Sequence, residues 1–226
     1  MIDEALEYWS NESRLSEYYL GRKMHTDIFI DALKLDFPSV RSLLEFGCGT
    51  GRNLHFAKHD LPQIESANGI DINASLIEEG RKHYPDIKLL ISSDGLDLLD
   101  YTPSKSKDVV FTISVLDHLP DRDLVLKAIT HFFRIARLGV MLFEPNCGVV
   151  GPVYPEYTNV PFSYSWDYLR IFQELWEGGS VRNIGLVRTA QWDISTGVGQ
   201  DKGLGKFYTL YSCDVKNGSR EDNKSG

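Results

Sequence analysis

An apolar segment that runs directly into a glycine cluster constrains this chain more than any other feature. The sequence LLEF at 43–46 precedes GCGTG at 47–51, and a helical pattern follows over Arg52–His59. This order predicts a buried strand, a tight turn and a helix. Glycines let the backbone approach a ligand closely, and the start of the helix would direct free N–H groups and its dipole into the crevice. The segment therefore predicts a ligand site.

Strand and helix patterns alternate from this turn to residue 145. The predicted strands are a second strand ending near Asp71 and further strands over 87–93, 108–116 and 139–145. The predicted helices lie over Ala74–His83 and 124–136. Residues 108–116 are apolar except for Asp108 and small hydroxyls, as in a strand that is buried on both faces. Short connections and alternation predict an open, doubly wound, mostly parallel α/β sheet.

The two ends of the chain depart from this rhythm. Apolar spacing over 3–36 predicts one or two helices, 164–177 reads as a helix, and 182–194 and 205–215 read as an antiparallel pair of strands. We predict one domain over 1–214, with an N-terminal helical cap over 1–37 and an aromatic-rich substrate insertion over 146–178. Residues 215–226 are polar and predict a disordered tail.

Charge and cysteine content exclude several classes of protein. The 226 residues carry 24 basic and 32 acidic side chains, a formal net charge of -8, which gives no electrostatic footprint for nucleic acid or an anionic membrane. Cys48, Cys147 and Cys213 lack the close spacing of a metal site or redox dithiol. No apolar run approaches the ~20 residues that span a bilayer. We expect a cytoplasmic protein without a metal.

The glycine spacing discriminates between nucleotide ligands. A dinucleotide fingerprint needs its third glycine three residues after the second, where this chain has Arg52. No GK[ST] ending is present, so a nucleoside-triphosphate loop is excluded. An NAD-dependent oxidoreductase stays open as a less favoured alternative.

An apolar strand, an acid and a GxGxG turn follow each other in this chain, and further acidic residues stand at the ends of the later strands. This order resembles class I S-adenosylmethionine-dependent methyltransferases over about residues 40–145. The resemblance implies a seven-stranded Rossmann-like sheet with S-adenosyl-L-methionine as cofactor. The cofactor-binding set that we predict is Arg22, Glu45, Gly47, Cys48, Gly49, Gly51, Asn53, Asp71, Ile72, Asp94, Gly95, Ile113 and Ser114.

The resemblance assigns roles to several of these residues. Asp71 would accept hydrogen bonds from the ribose hydroxyls, and Ile72 would lie against the adenine. Asp94, beside Gly95, would hold the adenine amine. Ile113 and Ser114 would approach the methionine part, Glu45 would lie under the turn, and Cys48 would be small filler. A phosphate-free cofactor suits carboxylates and an apolar slot. The alternative is that Asp71 and Asp94 are turn or cap residues.

His118, directly after the fourth strand, is the candidate general base, with capping or packing beside Asp117 as the alternative.

The acceptor would be a small molecule that is selected by aromatic residues of the insertion. The alternative is that these residues form the hydrophobic core of a lid. They are Tyr154, Tyr157, Phe162, Tyr164, Trp166 and Tyr168. Glu144-Pro145 replaces the Asn- or Asp-Pro-Pro motif of base-methylating relatives, which disfavours nucleic acid. An N-terminal helix carrying Trp9, Tyr18, Tyr19 and Arg22 could cover the cofactor, with Arg22 meeting a carboxylate.

The order NES, YYLGR, GCGTGRNL, VLDHLP and YSWDYL is similar to small bacterial methyltransferases associated with sugar and surface-polysaccharide biosynthesis. That resemblance implies a sugar or sugar-nucleotide acceptor. We predict methyl transfer to a small molecule. A non-catalytic S-adenosylmethionine-binding module is the first alternative.

Overall fold

The computed structural model describes residues 2–11, 20–146, 151–152, 163–175, 181–188 and 207–215. The helices in this part of the chain are α1 (Ile2–Asn11), α2 (Met24–Asp36), α3 (Arg52–Asp60), α4 (Ala74–His83), α5 (Asp97–Tyr101), α6 (Arg122–Ile135) and α7 (Tyr168–Leu175). The strands are β1 (Ser42–Phe46), β2 (Ser66–Asp71), β3 (Lys88–Ile91), β4 (Lys107–Ile113), β5 (Ala136–Asn146), β6 (Gly151–Pro152), β7 (Tyr164–Ser165), β8 (Val181–Arg188) and β9 (Phe207–Asp214). A 3-10 turn spans Leu116–His118.

The main sheet has the strand order β3-β2-β1-β4-β5-β9-β8. Strands β1 to β5 pair in parallel, whereas β9 is antiparallel to both β5 and β8. The predicted α/β fold, with parallel strands followed by an antiparallel pair, is confirmed. The chain order reverses direction across the sheet at β1 and β4, and open α/β sheets bind ligands beyond the carboxyl ends of strands at such a switch point.

Two apolar layers hold the helices on the sheet. All five residues of β1 are buried, as expected for a central parallel strand. On one face, Phe29 of α2 stacks on Phe111 of β4 with ring centroids 4.1 Å apart. On the other, Phe132 of α6 packs against Phe46 of β1 at 5.4 Å. Burial of this kind contributes roughly 25 cal/mol per Å² of apolar surface, so both layers hold their helices firmly against the sheet.

Most predicted elements between the glycine turn and residue 145 are confirmed, with boundaries displaced by a few residues. The helix over Ala74–His83 has the predicted bounds, and Asn73 caps it by accepting the Leu76 N–H at 3.0 Å. The fourth strand ends at Ile113 rather than at 116, because Ser114 has φ +55° and turns the chain into the 3-10 turn. The short helix α5 was not predicted.

Elsewhere the structure corrects one prediction and leaves others outside its range. Within 164–177, predicted as a single helix, the structure has strand β7 and then α7. Several predicted features lie outside the described residues, including the side chains of Tyr18, Tyr19, Cys147, Tyr154, Tyr157 and Phe162 and the tail from residue 216. The division into cap, domain and insertion remains a prediction. Over the described ranges, the helices are too short or too polar to cross a bilayer.

Candidate active site

The glycine turn after β1 adopts backbone conformations that glycine favours. Gly47, Gly49 and Gly51 have φ values of +71°, +53° and +78°. A Cβ at Gly47 would lie 2.5 Å from Val115 Cγ1 and closer still to Cγ2. The first glycine is therefore required both by its conformation and by the close approach of the chain that leaves β4.

The backbone amides of the turn form hydrogen bonds within the protein. The N–H groups of Gly47 and Cys48 donate to Ile70 O at 2.8 and 3.1 Å, and that of Gly49 donates to Asp71 Oδ2 at 2.7 Å. The Gly51 N–H donates to Cys48 O at 2.8 Å. These four amides are therefore engaged within the protein, and the expectation of free N–H groups at the start of the helix, beyond Gly51, remains a prediction. A phosphate cradle needs such donors, so this turn suits a ligand without phosphate.

Asp71 organises the exit of β2. Its Oδ1 accepts the Asn73 N–H at 2.8 Å, and hydrogen bonds from the Gly49 and Ile72 amides also favour the carboxylate. Burial raises the pKa of Asp71 against these hydrogen bonds. An ionised carboxylate has about four acceptor positions, so three backbone donors leave room for a hydroxyl. The turn-residue reading is confirmed, and it is compatible with the predicted contact to ribose.

The exit of β3 lies beside the exit of β2. A Cβ at Gly95, where φ is +86°, would be 3.6 Å from Ile72 Cγ2, an ordinary contact distance. Asp94 is exposed, and its Oδ1 accepts the N–H groups of Leu96 and Asp97, both at 2.8 Å. Asp94 therefore caps the start of α5, as the alternative reading held. Its predicted contact with the adenine amine remains a prediction for the other carboxylate oxygen.

A buried polar network lies below the glycine turn. Asn53 Nδ2 donates to Glu45 Oε1 at 2.7 Å, and Thr26 Oγ1 donates to Asn53 Oδ1 at 2.7 Å. Glu45 Oε2 is buried and accepts no hydrogen bond within the described part of the chain. Burial raises the pKa of Glu45 to about 8, which keeps the group largely protonated at neutral pH. Glu45 thus lies under the turn as predicted.

A histidine and an arginine adjoin this network, and neither was predicted to belong to it. Arg52 and His25 are both buried, and Arg52 Nη2 lies 2.8 Å from His25 Nε2. Burial, together with the charge of Arg52, lowers the pKa of His25 to about 3, so the imidazole is neutral and can accept a hydrogen bond from the guanidinium. The sequence did contain one indication of this pair. Arg52 is a charged residue at the first position of a helix that packs on the sheet, and a buried charge needs a polar partner.

The exit of β4 is held by a carboxylate from β5. Glu144 is fully buried and accepts the N–H groups of Val115 and Leu116, with Glu144 Oε2 at 3.1 Å from each nitrogen. Thr112 Oγ1 also donates to Glu144, at 3.2 Å. In the sequence, Glu144 was noted only as a departure from the motif of base-methylating relatives, whereas in the structure it holds the backbone of the segment that leads to His118.

Helix α1 contacts the segments that follow the carboxyl ends of β2 and β4. The ring of Trp9 packs on the ring of His118, with centroids 4.0 Å apart and planes inclined by 36°. The carbonyl of Trp9 accepts a hydrogen bond from Asn73 Nδ2 at 2.8 Å. The His118 side chain therefore packs against α1, and its role as general base remains a prediction. Since both partners stand at carboxyl ends of strands, α1 also covers the edge where a ligand would lie.

Arg22 forms ion pairs with two aspartates of the chain. Its guanidinium pairs with Asp27 at 2.5 Å and with Asp60 at 2.7 Å, and it lies over the ring of Phe56. Asp60 ends α3, the opposite end of the helix from the glycine turn. Arg22 itself stands outside any helix. The chain's own carboxylates engage Arg22 at this position, and its contact with a cofactor carboxylate remains a prediction.

Of the other predicted residues, some are packed in the core and one lines a surface groove. Cys48 is buried with its Sγ at the position that a Cβ on Gly69 would need, and burial raises the pKa of its thiol, as expected for filler. Tyr168 is fully buried in the layer that contains α6, so it is a core residue. Tyr164 and Trp166 stack with centroids 6.0 Å apart. Trp166 also lines a groove of about 420 Å³ with Arg122, Asp167, Arg170, Ile171 and Glu174.

Comparison with known proteins identifies the fold. Among solved structures, geranyl diphosphate C-methyltransferase from Streptomyces coelicolor matches with a TM-score of 0.66 at 13% identity, covering 95% of this chain and 97% of that one. Magnesium protoporphyrin IX methyltransferase from Synechocystis PCC 6803 matches with a TM-score of 0.65 at 13% identity, covering 94% and 98%. The architecture is that of class I methyltransferases.

Sequence comparison agrees with this assignment. Residues 44–135 match the family described as a methyltransferase domain. A relative, the S-adenosyl-L-methionine-dependent Diels-Alderase iccD of Talaromyces variabilis, is 31% identical over 111 residues, which cover 46% of this chain and 36% of that protein's length. The resemblance to class I methyltransferases, predicted from the glycine turn and its acids, is confirmed.

Proposed function

We propose that the protein binds S-adenosyl-L-methionine at the carboxyl ends of β1, β2 and β4 and transfers its methyl group to a small molecule. The observation that carries this proposal is the bonding of the glycine turn. Its amides at Gly47, Cys48 and Gly49 are used by β2, while the Asp71 carboxylate retains acceptor capacity at the same place. This combination favours a ligand that offers hydroxyls and carries no phosphate.

The residue types of the site match the groups that such a cofactor presents. Asp71 would accept a ribose hydroxyl, and Ile72 and Gly95, which lie beside each other, would form one surface against the adenine. The turn at Gly47–Gly51 and the segment Ile113–Ser114 would line the methionine part. When bound, S-adenosylmethionine supplies a methyl group on a positively charged sulfur. Alignment of the acceptor then provides much of the rate.

His118 is the residue that we propose takes the acceptor's proton. It stands three residues beyond the first hydrogen bonds to Glu144, on a turn held by this carboxylate, and its side chain is 18% exposed. A held but partly exposed imidazole would act as general base once an acceptor lies within hydrogen-bond distance of it.

The acceptor is proposed as a small molecule. Enzymes with this fold include proteins named for geranyl diphosphate and for magnesium protoporphyrin IX, so the fold accommodates chemically different acceptors. A sugar or sugar nucleotide remains our prediction from the motifs of the sequence. Incubation with labelled S-adenosylmethionine and a panel of sugars, sugar nucleotides, prenyl diphosphates and carboxylic acids, followed by detection of S-adenosylhomocysteine, tests both the reaction and the acceptor.

A second candidate is a protein that uses the cofactor without transferring its methyl group. The relative from Talaromyces variabilis is named as a Diels-Alderase rather than as a methyltransferase, which favours keeping this alternative. Saturable binding of S-adenosylhomocysteine with no methylated product across the panel would favour it. An increase in melting temperature with NADH instead of S-adenosylhomocysteine would favour an oxidoreductase.

Replacement of Asp71 by alanine is expected to weaken S-adenosylhomocysteine binding by ~1 to 3 kcal/mol, or about 5- to 150-fold in Kd, through loss of charge-assisted hydrogen bonds to the ribose. Isothermal titration calorimetry measures the change. Asp108→Ala is the matched control, because Asp108 also accepts two backbone N–H groups, from Arg41 at 2.8 Å and Ser42 at 3.0 Å, but stands at the opposite end of β4. Equal affinities for the Asp71 and Asp108 variants would contradict the assigned pocket.

A further inference from the structure

Asp117 places a carboxylate beside the imidazole of His118. Asp117 is 2% exposed, and its Oδ1 is buried without a hydrogen-bond partner in the part of the chain that the structure describes. His118 Nε2 lies 3.6 Å from this oxygen, within the range of an ion pair but longer than a hydrogen bond. A buried carboxylate oxygen without a donor is unfavourable, so a neighbouring N–H that can approach it is stabilised there.

Glu144 makes this a cluster of two buried carboxylates and one imidazole. Its oxygens accept the amides of Val115 and Leu116, which fixes the backbone on which Asp117 and His118 stand. Burial, followed by the charge of Asp117, raises the pKa of Glu144 well above its usual range. Two carboxylates that close together do not both ionise readily. Asp117 is the member of this cluster that lies beside His118.

Packing against helix α1 restricts the orientation of the His118 imidazole. The Trp9 ring packs on it at 4.0 Å, so rotation of the His118 ring is limited by an aromatic plane on one side and by the turn on the other. Glu144 on β5 and Tyr164 on β7 are titratable groups on strands that contact the turn. Helix α1 also carries Glu4, Glu7 and Tyr8, and the Tyr8 ring contacts the Trp9 ring. Asp117 contributes a carboxylate oxygen within 4 Å of the imidazole.

We propose that Asp117 is the positioning residue for His118: its carboxylate holds the Nε2–H of the neutral imidazole and stabilises the imidazolium that forms when His118 takes the acceptor's proton. The inference rests on the proposed function. In that step the acceptor's O–H or N–H bond breaks and its proton goes to His118. The acceptor atom bonds to the methyl carbon, and the electron pair of the carbon–sulfur bond goes to sulfur.

The proposal predicts the basicity of His118. An ionised carboxylate close to an imidazole favours the charged form, so Asp117→Asn should lower the pKa of His118 by about 1 unit or more. The measurement is an NMR titration of histidine-labelled protein, with the His118 signal assigned from its loss in His118→Asn. Asp121→Asn is the matched control, because Asp121 is an exposed aspartate nearby that caps α6 through the Asp123 N–H at 2.8 Å. A merely structural role for Asp117 would lower stability and leave the His118 titration unchanged.

A second measurement needs no variant at Asp117. Long-range proton–nitrogen spectra of the unsubstituted protein should show that neutral His118 carries its proton on Nε2. The Nδ1–H tautomer would overturn the proposal, as would an unchanged His118 pKa in folded Asp117→Asn. Once an acceptor is identified, the acidic limb of the kcat/KM profile should move to lower pH in Asp117→Asn, and Asp117→Glu should restore part of the shift.

These readouts separate the inference from the function on which it rests. The histidine titration and the tautomer require neither cofactor nor acceptor. A protein that binds no S-adenosylhomocysteine would refute the proposed function even with an intact Asp117–His118 pair. A protein that methylates an acceptor with unaltered pH dependence in Asp117→Asn would refute the positioning role alone.

Discussion

Gly47→Ala is expected to destabilise the protein by about 2 to 5 kcal/mol. The alanine would be held at φ +71°, a left-handed conformation that costs about 1 to 2 kcal/mol. Its Cβ would also overlap both γ-methyl groups of Val115, and overpacking of this kind costs about 1 to 3 kcal/mol more. The chain leaving β4 cannot retreat easily, because Glu144 holds the amides of Val115 and Leu116. Urea unfolding with matched m-values measures the difference.

The neighbouring strand exit supplies a control for this substitution. Gly95 has φ +86°, but a Cβ there would meet Ile72 at 3.6 Å and Phe46 at 3.8 Å, which are ordinary contacts. Gly95→Ala should therefore show the backbone cost alone. Val115→Ala in the Gly47→Ala background removes both overlapping methyl groups and should recover part of the loss. Equal destabilisation by the two glycine substitutions would show that the approach of Val115 is not the cause.

Glu45 is expected to make the protein less stable as the pH rises above about 4.5. Burial raises the pKa of the folded carboxyl from 4.5 to about 8, so the folded state retains a proton that the unfolded chain releases. The stabilisation is complete below the unfolded pKa and is lost as the pH passes the folded pKa. Each pKa unit corresponds to about 1.4 kcal/mol, so the loss amounts to roughly 3 to 5 kcal/mol between pH 4.5 and 8.

Glu45→Gln removes this titration while keeping an oxygen that can accept the Asn53 hydrogen bond. The difference in unfolding free energy between the unsubstituted protein and Glu45→Gln should therefore change by several kcal/mol from pH 5 to pH 8.5, in favour of the variant at high pH. Glu78→Gln is the control, because the Glu78 side chain is 58% exposed on α4. Parallel curves for the unsubstituted protein and Glu45→Gln would show that Glu45 does not titrate in this range.

The sheet could be predicted because its determinants are local. Continuous apolar runs, glycines after β1 and helical spacing over α4 act within a few residues of each other, and they specified the element order up to β5. Helix α5 escaped prediction because it has five residues and depends on Asp94 and on packing of Leu99. The ion pair between Arg22 and Asp60 was not predicted for a related reason, since the two residues are 38 positions apart.

The site was predicted as a set of residues but not as a set of bonds. Asp71 and the glycines were found because strand ends of a parallel sheet meet at one edge. That the turn amides are consumed by β2 depends on the pairing of Phe46 with Ile70, a register that no motif states. The network of Glu45, Asn53 and Thr26 likewise joins β1, α3 and α2, which become neighbours only when the helices cover the sheet.

The double use of Asp71 links ligand preference to the integrity of the turn. Its carboxylate both retains the Gly49 amide and is the group that we propose faces the ribose. A substitution that adapts position 71 to a different nucleotide would at the same time release a main-chain donor beside the ligand. The freed Gly49 N–H would need an acceptor, which a ligand with anionic oxygens could supply, so a single change at position 71 would alter the ribose contact and the hydrogen bonding of the turn together.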